Sequence, residues 1–278
     1  MSVSELEIKS KLNAFASTKC VLLCKRTADE TTASFNNLNF NMLTVTPEEI
    51  KKVEWPYRFK PLVCWGNTSA SDVGVFWAGK TYNNVRKEDK YTQIRKLMSS
   101  GVSVVPAATN PQAALRLFQT TMVVKRKINH SMGRDVVLLS GDDATSRHSE
   151  EGYYFRPFIK FKNEYRFHVV NGKVLTAAHK NHVLDFDTEE QKLIRSYNNG
   201  WTFKTLGSNF IASWRWWEPA SELSVAAVRA LGYDFGAVDI GITEDVGSTK
   251  GSVYVIEINS APGLIPEHAA LYAEEFSK

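Results

Sequence analysis

Three polar side chains near the C-terminal end of the chain could hold a metal ion: Asp239, Glu257 and Asn259. Glu257 and Asn259 lie two residues apart in the run 253–259, VYVIEIN, whose alternation predicts a strand, so both side chains point to one face. The run 237–240 predicts a preceding strand, and if the two strands pair, Asp239 can face the other two residues. Carboxylate and amide oxygens suit a hard cation such as Mg²⁺, which commonly completes its shell with water and nucleotide phosphates.

The alternation along 253–259 also predicts the neighbours of these ligands. The face of Glu257 and Asn259 would also carry Val253 and Val255, and the other face Tyr254, Ile256 and Ile258. For any single acid, the alternative to a metal ligand is a polar residue that faces solvent at the end of a strand. That alternative is less favoured here because Glu257 and Asn259 share a face and lead into a Pro-Gly turn at 262–263, which redirects the chain.

The same segments resemble a known family. VYVIEINSAPGL, residues 253–264, is similar to the closing motif of ATP-grasp enzymes, and LGYDFGAVDI, residues 231–240, is similar to the family segment that ends in the first magnesium acid. The resemblance covers about residues 60 to 270. It implies an α+β protein with the ATP-grasp fold, in which two α+β lobes grip ATP behind a small N-terminal α/β domain. It also implies a ligase that joins a carboxylate to an amine through an acylphosphate and releases ADP and phosphate.

The resemblance further implies which residues bind the nucleotide. Lys90 stands where a family lysine reaches the phosphates, with a solvated lysine at a helix start as the alternative. Lys125 occupies the place of a lysine on the first lid strand, and the loop that covers the phosphates would contain Ser131 and Gly133. Phe158 and Ile159 stand at the hinge between lid and body, where the adenine edge meets the backbone, although an ordinary core strand has the same composition.

An Asn-Gly turn at 171–172 between two alternating runs predicts a β-hairpin. Arg166, which shares one face of the first strand with Glu164 and His168, and Lys180 on the returning strand are implied by the resemblance as catalytic contacts to phosphate or substrate. Arginine suits this role because its planar fork makes two parallel hydrogen bonds. The histidines of the hairpin are interpreted as structural rather than catalytic: His168 and His179.

Composition narrows the class of protein. The 278 residues are 43% hydrophobic and 23% charged, with a formal net charge of +4, which is ordinary for a globular protein. Because lysine and arginine are dispersed, an anion site is favoured over a broad nucleic-acid surface. The sequence contains no run of about 18 apolar residues, so no membrane span is expected. Three cysteines without a metal-type pattern suggest reduced thiols in a cytoplasmic protein: Cys20, Cys24 and Cys64.

The chain is expected to form three units. Strand, helix and strand signals favour an N-terminal α/β domain at 1–85. The resemblance implies a lid subdomain with its leading helix at 86–155 and a body at 156–278 that holds the magnesium site. The expected cofactors are ATP and Mg²⁺, with Mn²⁺ as the alternative metal. The expected substrates are a carboxylate and an amine, which belongs to a small molecule or to a peptide or protein end.

Individual elements follow from shorter signals. Thr46-Pro47-Glu48-Glu49 predicts a helix start, and residues 88–100 predict an amphipathic helix that Gly101 ends. Residues 101–109 predict a strand, residues 141–152 a surface loop, and residues 1–15 a short helix.

Two segments could belong to the site of the second substrate. The loop 65–69, WGNTS, follows a predicted strand and is either a substrate contact or a simple polar turn. The segment 198–217 holds four of the seven tryptophans and could form an aromatic wall, although packing is the default role of tryptophan.

Three functions remain open after these observations: a carboxylate–amine ligase, an ATP-grasp phosphotransferase acting on a small molecule, and a nucleotide-binding protein without turnover. In some peptide-ligase relatives an arginine stands just before the first metal acid and steadies the tetrahedral intermediate. The corresponding stretch here is Gly236-Ala237-Val238, so that role falls to another residue or the substrate differs.

Overall fold

The computed structural model describes residues 18–24, 42–52, 60–66, 69–86, 88–128, 136–146, 151–183, 188–245 and 251–278, together with Ser10 and Phe35. Its strands are β1 Cys20–Leu23, β2 Met42–Val45, β3 Leu62–Cys64, β4 Thr81–Tyr82, β5 Met122–Lys127, β6 Val137–Ser140, β7 Tyr153–Pro157, β8 Asn163–Val170, β9 Lys173–His182, β10 Trp201–Thr205, β11 Phe235–Ile242 and β12 Val253–Asn259. Its helices are α1 Pro47–Lys52, α2 Lys90–Ser99, α3 Pro111–Phe118, α4 Gly141–Ser146, α5 Glu189–Leu193, α6 Ser208–Ser213, α7 Trp217–Ala230 and α8 Pro266–Phe276, with a 3₁₀ turn at Tyr197–Asn199. The predicted helix over 1–15 lies outside this part of the chain, apart from Ser10.

The N-terminal sheet is parallel, with the strand order β2-β1-β3-β4. Helix α1 begins at the predicted residue because Thr46 and Glu49 form a capping box, in which the Thr46 amide donates to Glu49 Oε2 over 2.8 Å and the Glu49 amide donates to Thr46 Oγ1 over 3.4 Å. The α/β character predicted for this region is confirmed.

A five-stranded antiparallel sheet, in the order β10-β9-β8-β11-β12, forms the body. The predicted hairpin of β8 and β9 is confirmed, since Asn171 and Gly172 both have positive φ angles, 50° and 73°, as a type I′ turn requires. One face of the sheet packs on α7 through a core that includes Phe167, Val169 and Val238. The opposite face carries Arg166 and Asp239, and at one end Val170 and Phe235 pack against α8.

A β-bulge changes which residues of β12 share a face. Asp239 of β11 is the partner of Glu257, but the next residue, Ile240, is the partner of Val255, so Ile256 is an extra residue on β12. Val255 is consequently buried in the α7 core, whereas Ile256 lies on the same side as Glu257. The prediction that Val253 and Val255 share the face of Glu257 is therefore wrong, because strict alternation does not survive an inserted residue.

The third sheet is antiparallel, in the order β6-β5-β7, and packs on α3 and α4. Helix α4 occupies residues 141–146 of the predicted loop 141–152, and its first turn is held by Ser140 Oγ, which accepts from the Asp143 amide over 3.2 Å. Residues 101–109 make only isolated bridges, at Val104 and Ala108, instead of the predicted strand, since Pro106 between them lacks an amide donor.

The three predicted units can be placed against these sheets. The boundary between 155 and 156 falls inside β7, which pairs with β5 of the third sheet. The division of the chain at 85 and 155 stays a prediction. No helix in the described ranges has the length and apolar character needed to cross a membrane.

Candidate functional site

A cavity of about 550 Å³ lies between the three-stranded sheet and the five-stranded sheet. Its lining includes most of the residues that the sequence singled out: Phe158, Ile159, Arg166, Lys180, Asp239, Glu257 and Asn259. Ser131 and Gly133 lie outside the described residues. Residues that are distant in sequence are thus gathered in one place, as a binding site requires.

Asp239, on the wall of this cavity, is held by a bidentate ion pair. Arg166, its partner residue on β8, donates from Nε to Oδ1 over 2.7 Å and from Nη2 to Oδ2 over 2.9 Å. Asp239 is only 6% exposed. Two parallel, charge-assisted hydrogen bonds in such a place fix both the carboxylate and the guanidinium in orientation.

Glu257 is held by a second arginine through a single hydrogen bond. Arg126 Nη2 donates to Oε2 over 2.9 Å, and the amide nitrogen of Asn259 lies 3.4 Å from Oε1. Burial alone would raise the pKa of Glu257, but Arg126, Lys90 and Arg166 outweigh it and hold the pKa well below the ordinary value of 4.5. Glu257 is therefore an ionised carboxylate at neutral pH.

The two lysines assigned to the nucleotide do not line the cavity. Lys90 Nζ donates to the backbone oxygen of Ile258 over 2.6 Å, and burial lowers its pKa although Glu257 opposes the shift. Lys125 is 7% exposed, and its Nζ lies 4.0 Å from the centre of the Tyr153 ring. Contacts of Lys90 and Lys125 with a nucleotide stay predictions.

The sequence did not predict Arg126 as a site residue, because the neighbouring Lys125 in the basic run of β5 was assigned to the nucleotide instead. The strand alternation carried the necessary signal: Val123 and Phe155 belong to the core under α3 and α4, whereas Val124 and Arg126 line the cavity. A shift of one residue along a strand moves a side chain to the other face, so the choice between 125 and 126 depends on which face is buried.

Arg156 was also missed, since nothing in the sequence separates it from the aromatic run around it. It is 3% exposed and donates from Nη1 to the Ile256 oxygen over 2.7 Å and from Nη2 to the Val105 oxygen over 2.6 Å. Desolvation lowers its pKa to about 10. Its Nε has no hydrogen-bond partner among the described residues. This side chain ties β7 to β12 and to Val105.

A further group of charges lies on β8 and β9. Lys180 Nζ donates to Glu164 Oε2 over 3.0 Å, and Arg195 Nη1 lies 3.7 Å from Glu164 Oε1. The ring of Phe203 is flanked by the guanidinium carbon of Arg166 at 4.0 Å and by Lys180 Nζ at 5.4 Å. Among the described residues, five cationic side chains and three acidic ones line the cavity, a balance that attracts a polyanion.

The tryptophans of 198–217 divide between the two interpretations. Trp214 packs 4.4 Å from Tyr165, and Trp216 and Trp217 contact the same core on the α7 side of the sheet. Trp201, in contrast, lines the cavity. In the 65–69 loop, the Gly66 amide donates to the oxygen of Ser260 over 3.1 Å, which brings the N-terminal sheet against the turn that follows Asn259.

Comparison of the sequence with protein-family models and with curated proteins finds no match. The structure, however, is similar to several solved structures. One is the ATP-grasp ligase PsnB complexed with minimal precursor, Mg and ADP, with a TM-score of 0.59 and 12% identity over 94% of this chain and 97% of that chain. D-cycloserine synthetase DcsG has a TM-score of 0.59 and 17% identity over 93% and 98%, and D-alanine–D-alanine ligase from Bacillus anthracis has 0.60 and 15% over 94% and 94%. At these identities the likeness concerns the fold, and it confirms the resemblance carried by the C-terminal motif: this chain has the ATP-grasp fold.

Proposed function

We propose that this chain is an ATP-dependent carboxylate–amine ligase. The γ-phosphoryl group of ATP passes to a carboxylate oxygen, giving an acylphosphate and ADP, and an amine then attacks the acyl carbon and displaces phosphate to form an amide. The observation that carries the proposal is the pair of largely buried arginine–carboxylate contacts, Arg166–Asp239 and Arg126–Glu257, on the wall of one cavity.

The adenine end of the nucleotide is assigned to the apolar part of the cavity. Phe158 and Ile159 follow the hinge strand β7, and Val124, Leu138 and Ile256 line the same space. Apolar side chains from two lobes can sandwich a planar base while backbone groups meet its edge. This placement directs the phosphates toward Arg166 and Glu257.

Mg²⁺ is assigned to Asp239, Glu257 and Asn259. Across the described ranges no group of three or more His, Cys, Asp or Glu side chains could hold a metal, so the Asn259 amide is needed beside the two acids. This donor set fits a hard cation, because both acids lie on neighbouring strands and Glu257 is ionised. Bound there, Mg²⁺ supplies charge neutralisation for the transferring phosphoryl group.

The side chains of this chain supply the remaining electrostatic stabilisation. Phosphoryl transfer needs positioning and charge neutralisation more than a covalent catalyst. Arg166 is already fixed by Asp239, and Lys180 is fixed by Glu164, so neither group has to reorganise when charge develops. These two residues are assigned to the transferred phosphoryl group and the acylphosphate.

The similar structures support this class of reaction. Three of them are named as an ATP-grasp ligase, a D-cycloserine synthetase and a D-alanine–D-alanine ligase, and the PsnB structure contains Mg and ADP. The acceptor of this chain is therefore sought among both small amines and peptides.

The test is incubation with ATP, Mg²⁺ and pooled carboxylates and amines, with ADP and phosphate measured and the products identified by mass spectrometry. ADP with a condensed product is the expected result. ADP with a phosphorylated product would instead identify a phosphotransferase, and AMP would contradict the acylphosphate. Loss of turnover in Glu257→Gln, with turnover kept in the exposed Glu244→Gln, would place the chemistry at the proposed metal site.

A further inference from the structure

Two histidines form a pair in the wall of the cavity. The rings of His168 on β8 and His268 on α8 lie 4.5 Å apart between centroids, and both side chains line the cavity. They are 1% and 5% exposed. The phosphoryl-transfer chemistry assigned above uses neither of them, so a pair of buried, titratable side chains in the cavity is left without a role.

Hydroxyl groups hold both rings. His168 Nδ1 lies 3.1 Å from the Tyr272 hydroxyl, and His268 Nε2 lies 3.0 Å from Thr205 Oγ1. Burial is the first cause that lowers the pKa of each histidine; His268 and Arg166 lower the pKa of His168 further, and Arg166 also lowers that of His268. The imidazoles are therefore neutral at pH 7, and a neutral imidazole has one nitrogen that can accept a proton.

The surroundings of His168 bear on its proton affinity. Arg166 from its own strand, His268 and Tyr272 from α8 face it, and Glu267 acts on His268 in the opposite sense to Arg166. Burial keeps Tyr272 protonated by raising its pKa far above its ordinary value of 10. Tyr272 can consequently orient the His168 ring but cannot take up the proton itself.

The position of His168 relates the pair to the reacting groups. His168 and Arg166 share one face of β8 and are two residues apart, which is about 7 Å along a strand. Across the sheet, His168 is the partner of Ala237, and Ala237 stands two residues before Asp239. In the pairing of β8 with β9, His168 is the partner of Thr176 and Val169 is the partner of Val174, so the extra residue of this bulge, Leu175, lies on β9.

We propose that His168 is the proton acceptor for the attacking amine, held for that task by Tyr272. This inference rests on the proposed ligase function. The amine nitrogen, entering as the uncharged base, forms the C–N bond to the acyl carbon. The C–O bond to phosphate breaks and its electron pair leaves with phosphate. One proton on nitrogen passes to His168 Nε2, while Nδ1–H donates to the Tyr272 oxygen.

The test separates the two half-reactions of the full-length enzyme. Hydroxylamine is unprotonated near neutral pH and attacks an acylphosphate without the help of a base, giving a hydroxamate. With the carboxylate pool and Mg-ATP, His168→Asn should keep hydroxamate formation within about threefold of wild type. Its kcat for amide formation should fall by roughly 10²-fold, the usual contribution of a general base, with little change in the KM for ATP.

Two further variants test the contact with Tyr272 and provide a control. Tyr272→Phe retains the ring but removes the contact with His168, and it should lower amide formation about tenfold with hydroxamate formation unchanged. His179→Asn is the matched control, because His179 lies on β9 against Tyr165 on the other face of the sheet and should leave both products unchanged. If His168→Asn does not fold, as judged by thermal unfolding, Tyr272→Phe decides the question.

Three outcomes would overturn the inference. Equal loss of hydroxamate and amide in His168→Asn would show a structural role or a role in phosphorylation. Unchanged amide formation in a folded His168→Asn, or in Tyr272→Phe when that variant has to decide, would show that no base is needed there. Failure of the wild-type enzyme to form ADP and hydroxamate with any carboxylate would instead refute the ligase itself, and the role of His168 would fall with it.

Discussion

Replacing Glu257 by glutamine should destabilise the ligand-free protein, which is the opposite of what an ordinary acidic metal site would show. In a cluster of carboxylates alone, removal of one charge relieves repulsion and stabilises the empty protein. Here Glu257 lies among Arg126, Lys90, Arg166 and Lys180, which together hold its pKa below 4.5. Its negative charge is therefore stabilising even without a metal.

The magnitude follows from the contact with Arg126. The Arg126 side chain is 18% exposed and its Nη2 lies 2.9 Å from Glu257 Oε2, so Glu257→Gln leaves a largely buried guanidinium without its counterion. Breaking one side of such a pair costs about 3 kcal/mol of unfolding free energy. For a chain of this size, Tm should fall by roughly 6–12 °C.

Thermal unfolding with and without Mg-ATP measures both effects. Wild type should be stabilised by about 2.7 kcal/mol when Mg-ATP is at 100 times its Kd, and Glu257→Gln should lose this gain. Glu244→Gln is the matched control, because Glu244 pairs with Lys162 at the surface with its side chain 64% exposed. Its unfolding free energy should change by less than about 1 kcal/mol, and its stabilisation by Mg-ATP should be the same as in wild type.

The dependence on pH provides an internal check. Because the pKa of Glu257 is lowered on folding, its contribution is present above the unfolded value of 4.5 and is lost as pH falls below that value. The difference in Tm between wild type and Glu257→Gln should therefore shrink in acid. A ligand-free Glu257→Gln protein that is more stable than wild type at pH 7 would refute the charge balance inferred for the cavity.

The remaining predictions concern the cavity wall and the hairpin. Gly241→Ala should cost about 1–3 kcal/mol and weaken Mg-ATP binding measured by calorimetry, because a Cβ there would lie 2.5 Å from the Phe161 ring that lines the cavity. Since the pKa values of His168 and His268 are lowered on folding, urea denaturation should show unfolding free energy falling as pH drops below 6.5, by about 1.4 kcal/mol per pH unit for each proton taken up only by the unfolded chain. His168→Asn should reduce that slope. Gly172→Ala should lower the urea midpoint by the equivalent of about 1 kcal/mol, because φ is 73° there.

Several parts of the site were accessible from sequence because they depend on local rules. The alternation of β8 placed Arg166 and His168 on one face, and the Asn-Gly turn set the hairpin. The spacing of Glu257 and Asn259 put both on one side of β12, and the pairing with Asp239 followed once the two strands were adjacent. Each of these follows from a period of two or from a single turn type.

The tertiary structure decided what depends on partners distant in sequence. The bulge at Ile256 arises from the pairing with β11, and it reverses the faces predicted for Val253 and Val255. Arg126 rather than Lys125 lines the cavity, because helices α3 and α4 cover the other face of β5.

The two histidines of the hairpin show the same division. Sequence alone treated His168 and His179 alike, whereas strand register places His179 against Tyr165 and turns His168 toward His268 from a helix about 100 residues later in the chain. Periodicity assigns residues to one of two faces, but only the packing of the whole chain determines which face is core and which is cavity. The sequence by itself therefore determined the residue types of the site and their local spacing, and the tertiary structure decided which of them meet.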